Sequence, residues 1–156
     1  MNGEAGALDR DLNRMLAERH ETIRAGVDRV DLEEFSRIVA LGGEGFFASV
    51  YTCQERAHCK GHLEKLATRF AAKEAASKAL GTGLRAFSLA EVEIVTAANG
   101  QPRLQLRGRA NERATSLGIC SISVSLTHTS IAAEAFVVAL ALDPTTTDPL
   151  RKESTQ

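Results

Sequence analysis

The sequence predicts an α+β domain in which helices pack on one face of a mainly antiparallel sheet. An Ala-rich stretch without Gly or Pro runs from about His62 to Leu80, before Gly81, and predicts a long helix. After this stretch the hydrophobic period changes from helical to alternating. The pair Asn99-Gly100 divides two alternating runs, which is the pattern of a β-hairpin. Helices and strands that are segregated in this way are typical of the α+β class.

The first part of the chain predicts an extension, a short strand and a helix. Residues 1–22 have Leu and Met at helical spacing, so we expect a helical extension that packs on another part of the protein. A strand over 22–28 is expected to end at a glycine bend. A helix over 32–41 follows, with Gly42-Gly43 as its stop signal.

The remaining elements follow from local signals. Thr52 and Glu55 have the spacing of a capping box at the start of a helix. The pattern then predicts the long helix, followed by the hairpin strands around Val92–Ile94 and Leu104–Leu106 and a short helix over 109–117. Two strands are predicted next, over 121–126 and over 132–142, and the second is apolar and therefore central in the sheet. Residues 143–156 are predicted to be a disordered tail. The domain is therefore predicted to span residues 23–142.

Composition excludes several classes of function. The 156 residues are 44% hydrophobic and 25% charged, which suits one globular domain. The net charge of −1, the aromatic content of 4% and the absence of Trp give no basis for nucleic-acid binding. No apolar run is long enough to cross a bilayer, and the acidic N-terminus does not resemble a secretory signal. We expect a cytoplasmic protein with no nucleic-acid or membrane partner.

Cysteine and histidine residues offer a possible metal site. An odd count of three cysteines at wide spacing argues against a disulfide framework. Cys53, His58, Cys59 and His62 are zinc-ligand types, but they form no C-x-x-C pair and no second ligand pair follows. An ordinary solvated helix face is the favoured interpretation.

The C-terminal part of the long helix carries the most informative residues. Phe70, Glu74 and Lys78 are four apart and share one side of the helix. Taken alone, Glu74 and Lys78 are explained as a surface pair worth about 0.3–0.5 kcal/mol. The Gly81-Thr82-Gly83 turn that follows favours a phosphorylated ligand, because glycines let backbone amides approach phosphate oxygens. The lysine would neutralise phosphate charge, and the carboxylate would hold a hard cation.

Four motifs in order give a family resemblance over residues 23–142. They are Gly26-Val27-Asp28, the helix motif Phe70, Lys73, Glu74 and Lys78 with Gly81-Thr82-Gly83, the hairpin Gly100-Gln101-Pro102-Arg103, and the run Val124 to Thr129. Together they resemble the holo-acyl-carrier-protein synthase family of 4'-phosphopantetheinyl transferases. The resemblance implies the fold of that family, a mainly antiparallel sheet packed against a long helix.

The resemblance also implies an activity and an assembly. A magnesium-dependent enzyme would move the 4'-phosphopantetheine arm of coenzyme A to a serine of an apo-acyl or peptidyl carrier protein, in fatty acid or polyketide biosynthesis. A homotrimer would bind coenzyme A between subunits. The alternative is a non-catalytic relative that binds coenzyme A or a carrier protein as a trimeric interaction module.

Site residues follow from the matched motifs. Asp28 and Glu74 would hold Mg²⁺, Glu74 would also act as the base for the serine hydroxyl, and Lys78 would stabilise charge on the phosphates. Without the resemblance, Asp28 is explained as a helix N-cap and His128 as a buried histidine with its hydrogen bonds satisfied. The coenzyme A contacts implied by the resemblance are Arg69, Gly81, Thr82, Gly83, Pro102, Thr127, His128 and Thr129.

Two features depart from the family pattern. About twenty residues precede the first strand, which carries Arg24 and Arg29. The first helix, which is usually arginine-rich in the family, begins with Asp31, Glu33 and Glu34.

The acidic first helix bears on the choice of carrier protein. Carrier proteins present an acidic helix, so the sequence predicts a dedicated, less acidic carrier that docks through Phe35, Ile38 and Phe46. The alternative is that Arg37 and distant arginines dock an ordinary carrier.

Overall fold

A computed structural model describes residues 21–83 and 86–142. The tail predicted over 143–156 lies outside the described residues. So does the helical extension predicted over 1–22, apart from its last two residues, which begin the first strand. The elements in chain order are β1 (Glu21–Asp31), α1 (Leu32–Val50), α2 (Cys53–Cys59), α3 (Leu63–Ala79), a 3-10 turn (Leu89–Glu91), β2 (Val92–Thr96), β3 (Pro102–Leu106), α4 (Gly108–Ser116), β4 (Ile119–His128) and β5 (Ala132–Leu142).

The strands form two antiparallel sheets. In the three-stranded sheet the order is β1-β5-β4, which confirms that the apolar strand β5 is central. The second sheet is the β2–β3 hairpin, in which Val92 faces Leu106 and Ile94 faces Leu104. The hairpin turn contains Gly100 at a φ of 85°, as the Asn-Gly pair predicts. The α+β class is therefore confirmed.

The helix α3 lies on the three-stranded sheet and forms the centre of the core. Its contact face is made of alanines such as Ala71, Ala75 and Ala79, which are buried against Val137 of β5. Small side chains allow the helix backbone to approach the sheet closely. This close approach places the functional end of α3 beside β1.

The glycine of β1 has a different role from the predicted one. A bend was expected at Gly26, but β1 continues through it to Asp31, so the prediction of a strand end is wrong. A Cβ atom at Gly26 would lie 1.9 Å from the carbonyl oxygen of Ala75. The glycine is required because the backbone of α3 contacts the strand at this point.

The first helix also continues beyond its predicted end. At Gly43 the backbone leaves the helical region, with φ 53° and ψ −146°, but a second helical segment resumes and reaches Val50. The Phe46 ring of this segment lies 6.1 Å from the Phe35 ring and 6.0 Å from the Phe70 ring, measured between centroids. The predicted stop is therefore a kink, because aromatic packing holds the chain in helical form after it.

Candidate active site

Three predicted site residues meet where β1 passes the end of α3. The Nζ atom of Lys78 donates to Oδ1 of Asp28 at 2.8 Å and to the carbonyl oxygen of Val27, also at 2.8 Å. The helical spacing of Glu74 and Lys78 predicts an ion pair between these two side chains. Within the described residues, Lys78 forms its ion pair with Asp28 instead. The strand and the helix together therefore assemble Asp28, Glu74 and Lys78. This place for Asp28 differs from the N-cap alternative, because Asp31 caps α1 by accepting from the backbone N–H of Glu34.

The electrostatics of Glu74 reflect this arrangement. Burial raises the pKa of the Glu74 carboxyl, the negative charge of Asp28 raises it further, and the positive charge of Lys78 opposes both effects. Two carboxylates that repel each other are a suitable pair for a hard cation.

The donor set can be compared with the needs of a metal ion. In the described part of the chain no group of three or more His, Cys, Asp or Glu residues could hold one. Mg²⁺ is usually bound by one or two protein carboxylates, with water and substrate phosphates completing the octahedron. The pair Asp28 and Glu74 fits Mg²⁺ bound together with a phosphorylated substrate.

A groove of about 250 Å³ opens beside these residues. Its walls combine carboxylates and apolar side chains from the same three elements, β1, α1 and α3. The lining residues are Asp28, Arg29, Val30, Asp31, Glu34, Phe35, Ile38, Phe70 and Glu74.

Arg69 lies on α3 and is buried. Its guanidinium donates to the carbonyl oxygen of Lys65 at 3.2 Å and to Oγ1 of Thr96 at 3.4 Å. Its Nε atom is buried and has no hydrogen-bond partner among the described residues. A buried donor without a partner costs free energy in the folded chain.

The turn after α3 is held by two arginines that the sequence analysis missed. Arg24 donates from Nε to the carbonyl oxygen of Ala79 at 2.7 Å, and Arg113 donates from Nε to that of Leu80 at 3.1 Å. Gly81 has a φ of 64°, and a Cβ atom there would lie 2.7 Å from Nη2 of Arg24. Positive charge at a helix C-terminus is favourable. Arg24, an unexpected residue in a first strand, therefore stabilises the Gly81-Thr82 turn.

Three other predicted residues, Pro102, His128 and Thr129, line two further grooves, and Thr127 is exposed on β4. Pro102 lines a groove of about 490 Å³ between β3 and β4. His128 and Thr129 line a groove of about 440 Å³ that also includes His62 and Lys65. The alternative of a buried His128 is wrong, since this side chain is exposed. On a single chain, five of the predicted site residues therefore line three separate grooves.

Lys73, the lysine next to Glu74, belongs to a buried ionic network. Its Nζ atom donates to Oε2 of Glu55 at 2.8 Å and to the carbonyl oxygens of Leu89 at 3.1 Å and Val92 at 2.5 Å. Burial lowers the pKa of Lys73, and the carboxylate of Glu55 opposes this effect. The capping box predicted at Thr52 is confirmed, and its Glu55 is also the partner of Lys73.

Comparison with known proteins identifies the family. A family model described as the 4'-phosphopantetheinyl transferase superfamily matches residues 24–141, and the chain belongs to this superfamily. Within it, the chain is 40% identical over 122 residues to a holo-[acyl-carrier-protein] synthase of Herpetosiphon aurantiacus, covering 74% of this chain and 96% of that protein. It is 43% identical over 132 residues to a synthase of Chloroflexus aurantiacus, again covering 74% and 96%. The resemblance found from the four motifs is confirmed.

Solved structures show the same fold. The Chronobacterium ammoniagenes ACPS–CoA complex matches with a TM-score of 0.70 and 28% identity, over 78% of this chain and 98% of that one. The Helicobacter pylori holo-[acyl-carrier-protein] synthase in complex with coenzyme A matches with a TM-score of 0.67 and 27% identity, over 76% and 99%. The described part of this chain contains no helix long and apolar enough to span a membrane.

Proposed function

We propose that this protein transfers the 4'-phosphopantetheine arm of coenzyme A to a serine of an apo-carrier protein of fatty acid or polyketide biosynthesis. The products are the holo-carrier protein and adenosine 3',5'-bisphosphate. The observation that carries the proposal is that Asp28 and Glu74 line one groove and that Lys78 pairs with Asp28 beside it. The similarity to holo-acyl-carrier-protein synthases, two of which were solved with coenzyme A, supports it.

Each of these residues has a role that its surroundings support. Asp28 and Glu74 would hold Mg²⁺, which when bound neutralises the pyrophosphate of coenzyme A and orients it. Lys78 donates to Val27 and Asp28, and its positive charge would stabilise charge on the phosphates.

Glu74 is suited to accept the proton of the serine hydroxyl, because burial and Asp28 raise the pKa of its carboxyl. In the reaction the serine Oγ–phosphorus bond forms. The bond from phosphorus to the bridging oxygen of adenosine 3',5'-bisphosphate breaks, and the serine proton moves to the carboxylate. Most of the rate enhancement would come from positioning and charge neutralisation.

The test is transfer followed by mass spectrometry of an apo-carrier protein incubated with coenzyme A and Mg²⁺. We expect the carrier to gain the mass of the phosphopantetheine arm, removal of divalent cations to stop the reaction, and Glu74→Gln to abolish it while the fold persists. The exposed residue Glu112 on α4 provides the matched control, Glu112→Gln, which should leave turnover unchanged. Turnover near the wild-type level in Glu74→Gln would show that the site is assigned wrongly. The non-catalytic alternative is not favoured, since the expected catalytic groups are all present.

We also propose a homotrimer that binds coenzyme A between subunits. The face of the three-stranded sheet opposite α3 exposes apolar side chains, with Ile23 73% and Val27 60% exposed, and the adjacent Phe136 is also exposed. An apolar sheet face of this kind favours association. Association would also bring together site residues that lie in separate grooves on one chain.

Sedimentation tests this assembly. Val27→Lys places a charge on the apolar face and should lower both the mass of the assembly and its activity, whereas Glu112→Lys should change neither. A wild-type monomer with full activity at micromolar concentration would contradict the proposal.

We further propose that residues 23–142 form the transferase domain and that the enzyme is cytoplasmic. The family match over 24–141 supports the first statement. The second is supported by three cysteines that are free in the described structure, which suits a reducing compartment.

A further inference from the structure

Lys73, the residue before Glu74 on α3, has a charged side chain that the proposed chemistry does not use. Its ammonium group is fully buried and donates to one carboxylate and two backbone carbonyl oxygens. These acceptors belong to Glu55 on α2, Leu89 in the 3-10 turn and Val92 on β2. Since an ammonium group has three protons, its donor capacity is used completely. A fully buried lysine cannot contact a substrate, so any effect on the reaction must act through another residue.

The carboxylate that binds Lys73 is itself held in place. Glu55 accepts from the backbone N–H groups of Thr52 and Ile94, at 3.0 Å and 2.9 Å. Thr52 is the N-cap of α2, and Ile94 lies on β2. Lys73 therefore ties α3 to α2 and β2 through an acceptor that has little freedom to move.

A different side of α3 carries the expected catalytic groups. Successive side chains on a helix are separated by about 100° around its axis, so Glu74 points away from the direction of Lys73. Glu74 lines the groove that Asp28 also lines, and Lys78 donates to Asp28. A rotation or a shift of α3 would change the position of Glu74 relative to Asp28. Three hydrogen bonds from Lys73 limit both movements.

Apolar packing also holds α3, and it offers an alternative explanation for the position of Glu74. The Phe70 ring, one turn before Glu74, lies 5.4 Å from the Phe35 ring and 6.0 Å from the Phe46 ring, measured between centroids. Phe35 is fully buried in this cluster, so the expectation that it contacts a carrier protein is wrong. Apolar contacts are not directional, whereas the hydrogen bonds of Lys73 have preferred directions. Packing alone therefore restricts the orientation of α3 less than packing together with the Lys73 contacts.

The charge of Lys73 does not set the acidity of Glu74. The pKa of the Glu74 carboxyl is shifted by burial and by the charges of Asp28 and Lys78. The positive charge of Lys73 is balanced by the carboxylate of Glu55 at 2.8 Å. An effect of Lys73 on Glu74 is therefore an effect on its position.

We propose that Lys73 is a positioning residue, which acts through Glu74 by holding α3 in the orientation that places the Glu74 carboxylate on the groove with Asp28. This inference rests on the proposed function and adds to it a residue that contacts no substrate. A displacement of about 1 Å can lower the rate of an enzyme about a hundredfold, so loss of the Lys73 contacts should lower kcat at least about tenfold. The KM for coenzyme A should change less, because the implied contacts at Pro102 and His128 do not lie on α3.

The experiment separates position from stability with a pair of substitutions. Lys73→Met alone leaves the buried Glu55 carboxylate without its partner, and the lost stability would obscure the kinetics. Lys73→Met combined with Glu55→Gln removes both charges and nearly keeps the shape of both side chains, so most of the lost stability should return. Turnover of an apo-carrier protein with coenzyme A, followed by mass spectrometry, should nevertheless stay low in this double variant. If Lys73 only stabilised the fold, turnover would return together with stability.

The single variant Glu55→Gln is the complementary test, and it does not depend on folding of the double variant. Its side chain keeps an acceptor oxygen for Lys73 but loses the negative charge. We expect it to lose stability in urea unfolding and to keep a much larger part of its kcat than the double variant keeps. A loss of kcat in folded Glu55→Gln as large as in the double variant would overturn the inference.

A further readout is independent of activity. Without metal, Glu74→Gln should raise the free energy of unfolding of the wild type, because it removes a buried charge that Asp28 repels. In the double variant Glu74 should no longer be held near Asp28, so the same substitution should give a smaller increase. The exposed Glu112 on α4 provides the matched control, since Glu112→Gln should have the same small effect in both backgrounds.

The outcomes distinguish this inference from the function on which it rests. Turnover near the wild-type level in the double variant, or an undiminished effect of Glu74→Gln on its stability, would overturn the positioning role while the transferase activity stands. If the wild-type enzyme modifies no carrier protein, the proposed function is overturned. The unfolding measurements would still decide in that case whether Lys73 positions Glu74.

Discussion

Replacing Lys73 by methionine should cost more stability than any exposed charge on the same helix. The Lys73 ammonium is fully buried and lies 2.8 Å from the carboxylate of Glu55, which is almost fully buried as well. Nearby, the buried carboxylate of Glu93 accepts from Arg107 at 2.6 Å and from Thr52 at 2.7 Å. The network holds two positive groups, Lys73 and Arg107, and two negative groups, Glu55 and Glu93. Removal of the Lys73 charge therefore leaves one buried carboxylate without a compensating positive charge.

The size of the effect follows from that imbalance. Breaking a buried ion pair by removing one partner typically costs about 3–5 kcal/mol. The Glu55 carboxylate would keep its bonds from the backbone N–H groups of Thr52 and Ile94, at 3.0 Å and 2.9 Å, which places the expected loss for Lys73→Met toward the lower end. Since domains are stable by about 5–15 kcal/mol in total, this is a large fraction.

The measurement is equilibrium unfolding in urea of the wild type, Lys73→Met, Glu55→Gln and the double variant. The two single losses should add to more than the loss of the double variant, because the double variant leaves no unpaired buried charge. Lys65→Met, an exposed lysine on the same helix, should change the free energy of unfolding by less than about 0.5 kcal/mol. A loss below about 1 kcal/mol for Lys73→Met, or strictly additive losses, would refute the argument that this network is coupled.

Two further predictions concern the site and its support. Without metal, Glu74→Gln should raise the free energy of unfolding at neutral pH. The raised pKa of Glu74 means that its ionised form destabilises the folded state. This loss of stability is complete at pH values above the folded-state pKa of Glu74. It disappears as the pH falls below the ordinary pKa of glutamate, because the carboxyl is then protonated in both states. Urea unfolding at several pH values should show the gap closing in acid, and a gap that widens there would contradict the assignment. Gly26→Ala should lose at least about 2 kcal/mol, since its Cβ atom would lie 1.9 Å from the Ala75 carbonyl oxygen. Gly45→Ala, where nothing lies within 4 Å of the added atom, should be neutral or stabilising, and equal effects at the two glycines would show that β1 and α3 are not in close contact.

Much of the candidate site could be proposed from the sequence because its motifs are local and ordered along the chain. The helix carrying Glu74 and Lys78 has a continuous alanine-rich pattern and a glycine stop, and the structure places it at Leu63–Ala79. What the pattern could not show is the partner of Lys78. That partner, Asp28, is fifty residues earlier in the chain, and only the packing of α3 on β1 brings the two side chains together.

The roles of the two glycine signals show the same limit. At Gly42-Gly43 the sequence correctly marks a departure from helical geometry, but aromatic packing of Phe46 makes the chain resume the helix. At Gly26 it suggests a bend, whereas the glycine provides space for the backbone of another element. A glycine signal indicates that the local backbone is unusual or closely approached, and it does not indicate which.

The sequence by itself determined the features that depend on neighbours along the chain. These are the capping box at Thr52, the Asn-Gly hairpin, the long alanine-rich helix and the set of motifs that defines the superfamily. The capping box, the hairpin and the helix are stabilised by interactions between residues that are close in sequence, so the sequence specifies them directly. The motifs can be read because each one is a short run of residues. The tertiary structure decided the features whose energy depends on distant groups: the burial of Lys73 in an ionic network, the pairing of Asp28 with Lys78 and the position of Glu34 on the groove that Asp28 and Glu74 line. Burial and long-range charge interactions have no fixed spacing in sequence, and for that reason only the folded chain reveals them.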